Sequence, residues 1–251
     1  MAEITGRQFI NFDMSKQKIL EAYETMAVRY NELIDHKPHN AYYDRPNTLA
    51  LLPEVKGLKI LDAACGPGKY AEILMERGAD VLGLDLSPAM ITEARKRNPE
   101  HGQFLVHDLE EPLHMCADAS VDIVLCALAL HYLKDWRFTI REFARVLKPG
   151  GVFVYSIEHP FFEYTSVKSK RYFDVEPIMI TWRGFGKAVD VHSFRRSLQE
   201  CITPVAENGF YIDALVEPRP VQELATIDPR RFKEFNHFPA FLCVRAVKRP
   251  D

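Results

Sequence analysis

Long apolar runs are missing from this sequence of 251 residues. The longest, from about Ile123 to Leu133, is interrupted by His131 and falls short of the roughly 18 residues a bilayer span needs, which argues against any membrane-crossing helix. Paired cysteines are missing too. The five present (Cys65, Cys116, Cys126, Cys201, Cys243) are odd in number and widely spaced, with no C-x-x-C and no histidine at ligand spacing. They read as reduced, buried residues, so neither a disulfide framework nor a metal site is expected. Basic charge is not in excess. A net charge of −3 does not supply the positive surface that phosphate neutralisation requires, so nucleic acid is not an expected partner. The N-terminal stretch MAEITGRQFINFDMSKQ has early acids and no apolar h-region, hence no visible secretory or transit signal, and a cytoplasmic location is expected. Repeats and low-complexity tracts are absent, and nothing specifies an oligomeric state.

What is present is an apolar fraction of 47%, enough for a substantial core, and from residue 58 onward an alternation of short β-branched runs with helical-period segments. The runs 58–64, 79–85, 101–108, 121–130, 151–159, 209–218 and 240–248 read as seven strands. GKYAEILMERG (68–78) reads as the first crossover helix, with Gly78 ending it. Ser87-Pro88 opens the second, a capping residue followed by a proline whose fixed φ suits the first helical turn. A third, from about Asp135 to Leu147, ends at Lys148-Pro149-Gly150-Gly151. The expected chain is therefore a single α/β domain: a largely helical N-terminal cap (1–57), a core (58–159), an insertion rich in aromatic residues (160–200) and the last part of the sheet (201–251). The insertion leaves directly from a strand's carboxyl end, which suits a lid over a site.

LDAACGPGKYAEIL (61–74) fits the glycine pattern of a dinucleotide-binding turn, yet Asp62 stands four residues before Gly66. Asp62, Asp85 and Asp108 fall at or near the ends of the first three strands, and open α/β sheets bind ligands at those carboxyl ends. A pyrophosphate would be repelled by an acidic rim. S-adenosylmethionine (SAM), with a sulfonium, an ammonium, a diol and one carboxylate, is complementary to it. Gly66 and Gly68 would let the backbone approach such a ligand closely, and Asp85 is placed to accept its ribose hydroxyls. The ligand's carboxylate calls for a cation, for which Arg45 and Lys69 are the candidates.

Five segments in this order resemble the class I SAM-dependent methyltransferases, in the branch of small enzymes that act on small molecules: ILDAACGPG (60–68), VLGLDLSPAMI (81–91), HDLEEPL (107–113), DIVLCALALHYL (122–133) and LKPGGVFVYS (147–156). The resemblance implies a Rossmann-like, mostly parallel sheet of order 3-2-1-4-5-7-6, strand seven antiparallel, with helices on both faces. It implies that Ala64, Gly66 and Gly68 line the cofactor, that Leu86 and Met90 flank the adenine, and that Asp108 and the Leu109 backbone hold the adenine edge. Ala127 would offer its carbonyl to the methionine ammonium, and Tyr30 and Tyr43 would close over the cofactor from the N-terminal helices. Ala64 departs from the glycine common in the family.

Methyl transfer is an in-line displacement governed by alignment, and a base is needed only where the acceptor must lose a proton. His159, directly after the fifth strand, is the first candidate, and His131, after the fourth, the second. The expected activity is transfer of a methyl group to a small molecule, the acceptor atom (O, N or C) being open. A nicotinamide-dependent oxidoreductase and a non-catalytic SAM-binding protein are the alternatives.

Overall fold

The computed structural model describes residues 8–9 and 16–250; the first part of the expected N-terminal cap lies outside them. A seven-stranded sheet is built from β1 (Lys59–Ala63), β2 (Asp80–Asp85), β3 (Gln103–Val106), β4 (Val121–Ala127) and β5 (Leu147–Glu158), and later β8 (Phe210–Val216) and β9 (Phe241–Lys248). Its order is β3-β2-β1-β4-β5-β9-β8. The first five strands are parallel, and β9 runs antiparallel to both β5 and β8. This is the order the family resemblance implies. The labels differ only because the insertion supplies two strands of its own, β6 (Glu176–Trp182) and β7 (Val189–Arg195), which pair as a hairpin and take the two-residue strand Gln8–Phe9 on their outer edge.

The helices are α1 (Lys16–Leu33), α2 (Arg45–Ala50), α3 (Lys69–Glu76), α4 (Pro88–Arg97), α5 (Arg137–Val146), α6 (Pro160–Ser166), α7 (Leu198–Glu207), α8 (Leu224–Ile227) and α9 (Pro229–His237). The central strands are apolar along almost their whole length because helices cover both faces. On one face Leu61, Val124 and Phe153 pack with Ile140 and Phe143 of α5 and Val205 of α7. On the other, Ile60, Val81 and Leu125 pack with Ala71 and Leu74 of α3 and Ile91 and Ala94 of α4. Each fully buried Leu, Ile or Phe contributes about 1.5–3 kcal/mol, so these two layers fix the sheet's rim as a rigid platform.

Local signals end the helices as expected, with one difference. Ser87 caps α4 by accepting from Met90 N, and Gly78 takes the left-handed conformation (φ 86°) after α3. α5 stops at Val146, ahead of Lys148–Gly151 as expected, but that segment lies inside β5. There the pairing with β4 slips from Val121↔Leu147 to Ile123↔Val152, so the proline and glycines are absorbed as a bulge in the strand.

The N-terminal cap is tied down by charge. Arg97 of α4 reaches Asp35 at 3.0 Å and Asn31 Oδ1, with Glu72 of α3 at 3.3 Å. Glu24 of α1 accepts from Ala89 N at 2.9 Å and from the Ser87 hydroxyl, placing a carboxylate at the positive end of α4. Together these lay α1 across the carboxyl ends of the strands. No helix among the described residues is long and apolar enough to cross a membrane.

Candidate functional site

Two cavities of about 260 Å³ each open under α1. The first sits at the carboxyl ends of β1, β2 and β4. It is lined by Ala64 and Gly66 of the glycine turn, Asp85 and Leu86 after β2, Met90 of α4, Asp108 and Leu109 after β3, and Ala127 at the end of β4. Tyr30 and Arg45 close it from the cap. With Lys69, also on its wall, eleven of the residues expected around the cofactor meet at one cavity.

The turn is held by the acids beneath it. Asp85 accepts from Gly66 N through Oδ2 and from Ser87 N through Oδ1, both at 2.9 Å, leaving further lone pairs on each oxygen for a diol. Burial raises its pKa to about 6 against the pull of those two N–H groups. Asp62 does not line the cavity. It lies fully buried under the turn, accepts from Ala71 N, and its Oδ2 has no hydrogen-bond partner. Burial, reinforced by the charge of Asp85, pushes it up to about 7.

Gly66 and Gly68 separate in role. At Gly66 (φ 54°) a Cβ would meet nothing within 4 Å, so the missing side chain leaves open space at the cavity wall. At Gly68 (φ 79°) a Cβ would meet Asn98 Nδ2 at 2.7 Å, so this glycine serves the close packing of the turn on α4 and faces away from the cavity. Ala64 adopts φ 62°, the left-handed region that glycine tolerates and that costs an L-residue about 1–2 kcal/mol. Leu128, just after β4, is held in the same region at φ 51°. Strained backbone gathered at one rim is typical of a working site.

The cations divide as well. Lys69 is engaged by Glu72 and by Asp35 at 3.4 Å. Arg45 is buried; its terminal nitrogen donates to Ile34 O at 2.9 Å while its Nε has no acceptor. The Arg45 guanidinium beside the cavity, the space at Gly66 and the free lone pairs of Asp85 fit a ligand that carries both a carboxylate and a diol. Asp108 faces the cavity but pairs with Lys16 of α1, and its Oδ1 accepts from Glu110 N at 3.0 Å. Tyr43 is elsewhere: its ring stacks on Phe235 at 4.7 Å and its hydroxyl accepts from Ala240 N at 3.1 Å, making it core.

The second cavity adjoins the first, sharing the walls Tyr23, Tyr30, Asn40, Leu128 and Tyr132. The hydroxyls of Tyr23 and Tyr132 are 2.5 Å apart, and burial raises both pKa values, so both stay protonated near neutrality. His131 lines this cavity with Glu158, while Tyr155 on the opposite face of β5 is buried and donates to Cys201 O at 2.9 Å. His159 lines neither cavity. Its Nδ1 caps α6 by accepting from Phe161 N at 3.2 Å, and its Nε2 lies 3.1 Å from Glu217, because the chain turns outward into α6 directly after Glu158. Sequence reasoning missed Lys16, Tyr23, Asn40 and Tyr132. A signal existed for two: Lys16, Tyr23 and Tyr30 are seven residues apart on α1 and therefore share one helical face.

A methyltransferase domain model matches residues 61–155. Malonyl-[acyl-carrier protein] O-methyltransferase of Salmonella typhimurium is 35% identical over 57% of this chain and 54% of its own length. An S-adenosylmethionine dependent methyltransferase of Mesorhizobium loti, 29% identical, superposes with a TM-score of 0.66 over 86% of this chain and 100% of its own. The chain belongs to the class I SAM-dependent methyltransferases. Membership in this enzyme family makes SAM its cofactor, and the first cavity is where the family's cofactor motifs converge. An uncharacterized protein of Haemophilus influenzae resembles the chain over nearly its whole length, 27% identical across 93% of this chain and 95% of that one. The chain spans only about half of the Salmonella enzyme.

Proposed function

We propose that the chain transfers the methyl group of SAM to a small molecule held in the second cavity. The observation that carries this reading is the shared wall: a cavity fitted to the cofactor opens beside a second of equal volume, with Tyr23, Tyr30, Asn40, Leu128 and Tyr132 common to both. A volume of about 260 Å³ suits a small ligand rather than a polymer.

In this reading Arg45 binds the cofactor carboxylate, Asp85 the ribose, Asp108 and Leu109 the adenine edge, and Ala127 the ammonium through its carbonyl. Asp62 braces the turn from below and adds negative potential under it. The bound cofactor supplies an electrophilic methyl carbon on sulfur. The protein's part is alignment and exclusion of water. The paired hydroxyls of Tyr23 and Tyr132 act as hydrogen-bond donors that orient the acceptor, since neither gives up its proton readily. The segment 160–200 acts as the lid, its hairpin bringing Trp182 and Phe185 over the acceptor. Where the acceptor carries a proton on oxygen or nitrogen, His131 takes it; His159 has the helix cap and Glu217 instead. Five free cysteines and the charge balance suit a cytoplasmic protein.

Incorporation of labelled methyl from SAM into a small-molecule library tests the reading. His131→Ala is expected to lower kcat by about 100-fold, the usual range for a general base, while His159→Ala retains most activity. The opposite ranking would return the base to His159, and no incorporation despite SAM binding would favour the non-catalytic alternative.

A further inference from the structure

The second cavity has a charge of its own. The walls that belong to it alone carry three cations, Lys37, Arg183 and Arg231, against one carboxylate, Glu158. Lys37 Nζ stands 4.1 Å above the Phe185 ring, and Arg231 Nε is 3.2 Å from Asp228 Oδ2 at the base of α9. His39, on the same wall, is held neutral: burial pushes its pKa down to about 4, and Arg231 and Lys37 push the same way. The remaining surface is aromatic. Tyr30 stacks on Phe185 at 4.9 Å, Trp182 lies 5.7 Å from Phe185, and Phe241 closes the other side. The first cavity, with four cations against four carboxylates on its walls, shows no such excess of positive charge.

We infer that the acceptor of this enzyme is a flat apolar molecule bearing a carboxylate, its ring lying among the aromatic walls and its anionic end anchored by Arg183 and Arg231. This rests on the methyltransferase reading above and adds to it the class of the acceptor. An aromatic cage by itself also suits an organic cation. Here the face of Phe185 is already occupied by Lys37, and the guanidinium groups of Arg183 and Arg231, the latter shared with Asp228, make a positive ligand the disfavoured one. The anchoring cations line only the second cavity, so the carboxylate sits away from the shared tyrosine wall. The atom to be methylated is therefore a second group of the acceptor, such as a ring hydroxyl, presented at Tyr23 and Tyr132 within reach of the proton acceptor His131.

Calorimetric titration tests this with 4-hydroxybenzoate, 4-hydroxyphenylacetate and 6-hydroxy-2-naphthoate, each beside its uncharged amide, and with tyramine as the cationic counterpart. Every titration is run on the free protein and on protein saturated with S-adenosylhomocysteine. At least one acid is expected to bind about tenfold more tightly than its amide, as one charge-assisted contact supplies. Arg183→Gln and Arg231→Gln should each remove that preference while leaving S-adenosylhomocysteine affinity within about twofold. Equal binding of acid and amide, tighter binding of tyramine, or binding of none of the acids would overturn the inference. Failure of S-adenosylhomocysteine to bind would instead count against the methyltransferase reading, and the acid-to-amide ratio on the free protein would still decide the anion site.

Discussion

The two cavities share a wall and a volume but are built in opposite ways. The cofactor cavity draws its floor from consecutive strand ends (Ala64, Asp85, Asp108 and Ala127), each positioned by the same sheet and separated by similar lengths of chain. The acceptor cavity gathers Lys37 and His39 from the cap, His131 and Glu158 from the ends of two strands, Trp182 and Phe185 from the hairpin and Arg231 from α9. One is a repeated solution of a parallel sheet; the other is an assembly of loops and inserted elements laid over it. The lesson is that rim and lid answer separate requirements, a fixed cofactor and an individual acceptor, and that they should fail separately.

Breaking the rim should have the largest effect. Asp85→Ala removes the diol acceptor and two hydrogen bonds that hold the glycine turn, and cofactor affinity is expected to fall about 100-fold. Binding of an acceptor to the free protein should change little, and calorimetry with both ligands would show it. Equal loss of both would mean that the cavities are one unit. Removing the lid's ring tests the converse. Trp182→Ala should raise the acceptor KM about tenfold with cofactor affinity unchanged, the signature of lost binding contacts without loss of chemistry.

The smallest effect is electrostatic and confined to the rim. Asp62 and Asp85, with pKa values raised to about 7 and 6, bind protons in the folded protein at pH values where the unfolded chain has released them. Their contribution to stability is therefore greatest in acid and is lost as pH rises toward 7. A cationic ligand favours the ionised forms, so SAM affinity should rise several-fold from pH 5.5 to 7.5 with net proton release. Asp62→Asn should stabilise the ligand-free protein at pH 7.5 by on the order of 1 kcal/mol, keep the Ala71 hydrogen bond and flatten the pH dependence of SAM binding. An unchanged profile would remove Asp62 from the electrostatics of the rim.

The same contrast explains what was legible in the sequence. Strand runs, the Ser87-Pro88 cap and the acid at the end of β2 are local signals, and the sheet repeats them at similar intervals, so most of the rim could be named in advance. Gly68 shows the limit: its positive φ was implied by the motif, but whether it faces a ligand or Asn98 depends on the crossing of α3 and α4. His159 shows another. One residue beyond Glu158 the chain leaves the sheet, and a proline that reads as extended or turn opens a helix that takes the imidazole as its cap. Tyr43 carries the same aromatic signature as Tyr30, and only the π-helical turn Asn40–Asp44 decides that it packs on α9 instead of the cofactor wall. The acceptor's cations lie in segments far apart in sequence, and no pattern of spacing joins Lys37, Arg183 and Arg231.

The central claim is that the Asp85 carboxylate at the strand ends, with the buried Arg45 guanidinium on the same cavity wall, selects a nucleoside donor of positive charge over a phosphorylated one. Parallel calorimetric titrations of the free protein with SAM and with NAD test it most directly. One SAM per chain with micromolar affinity and no heat from NAD is the expected result; saturable binding of NAD with none of SAM would contradict it.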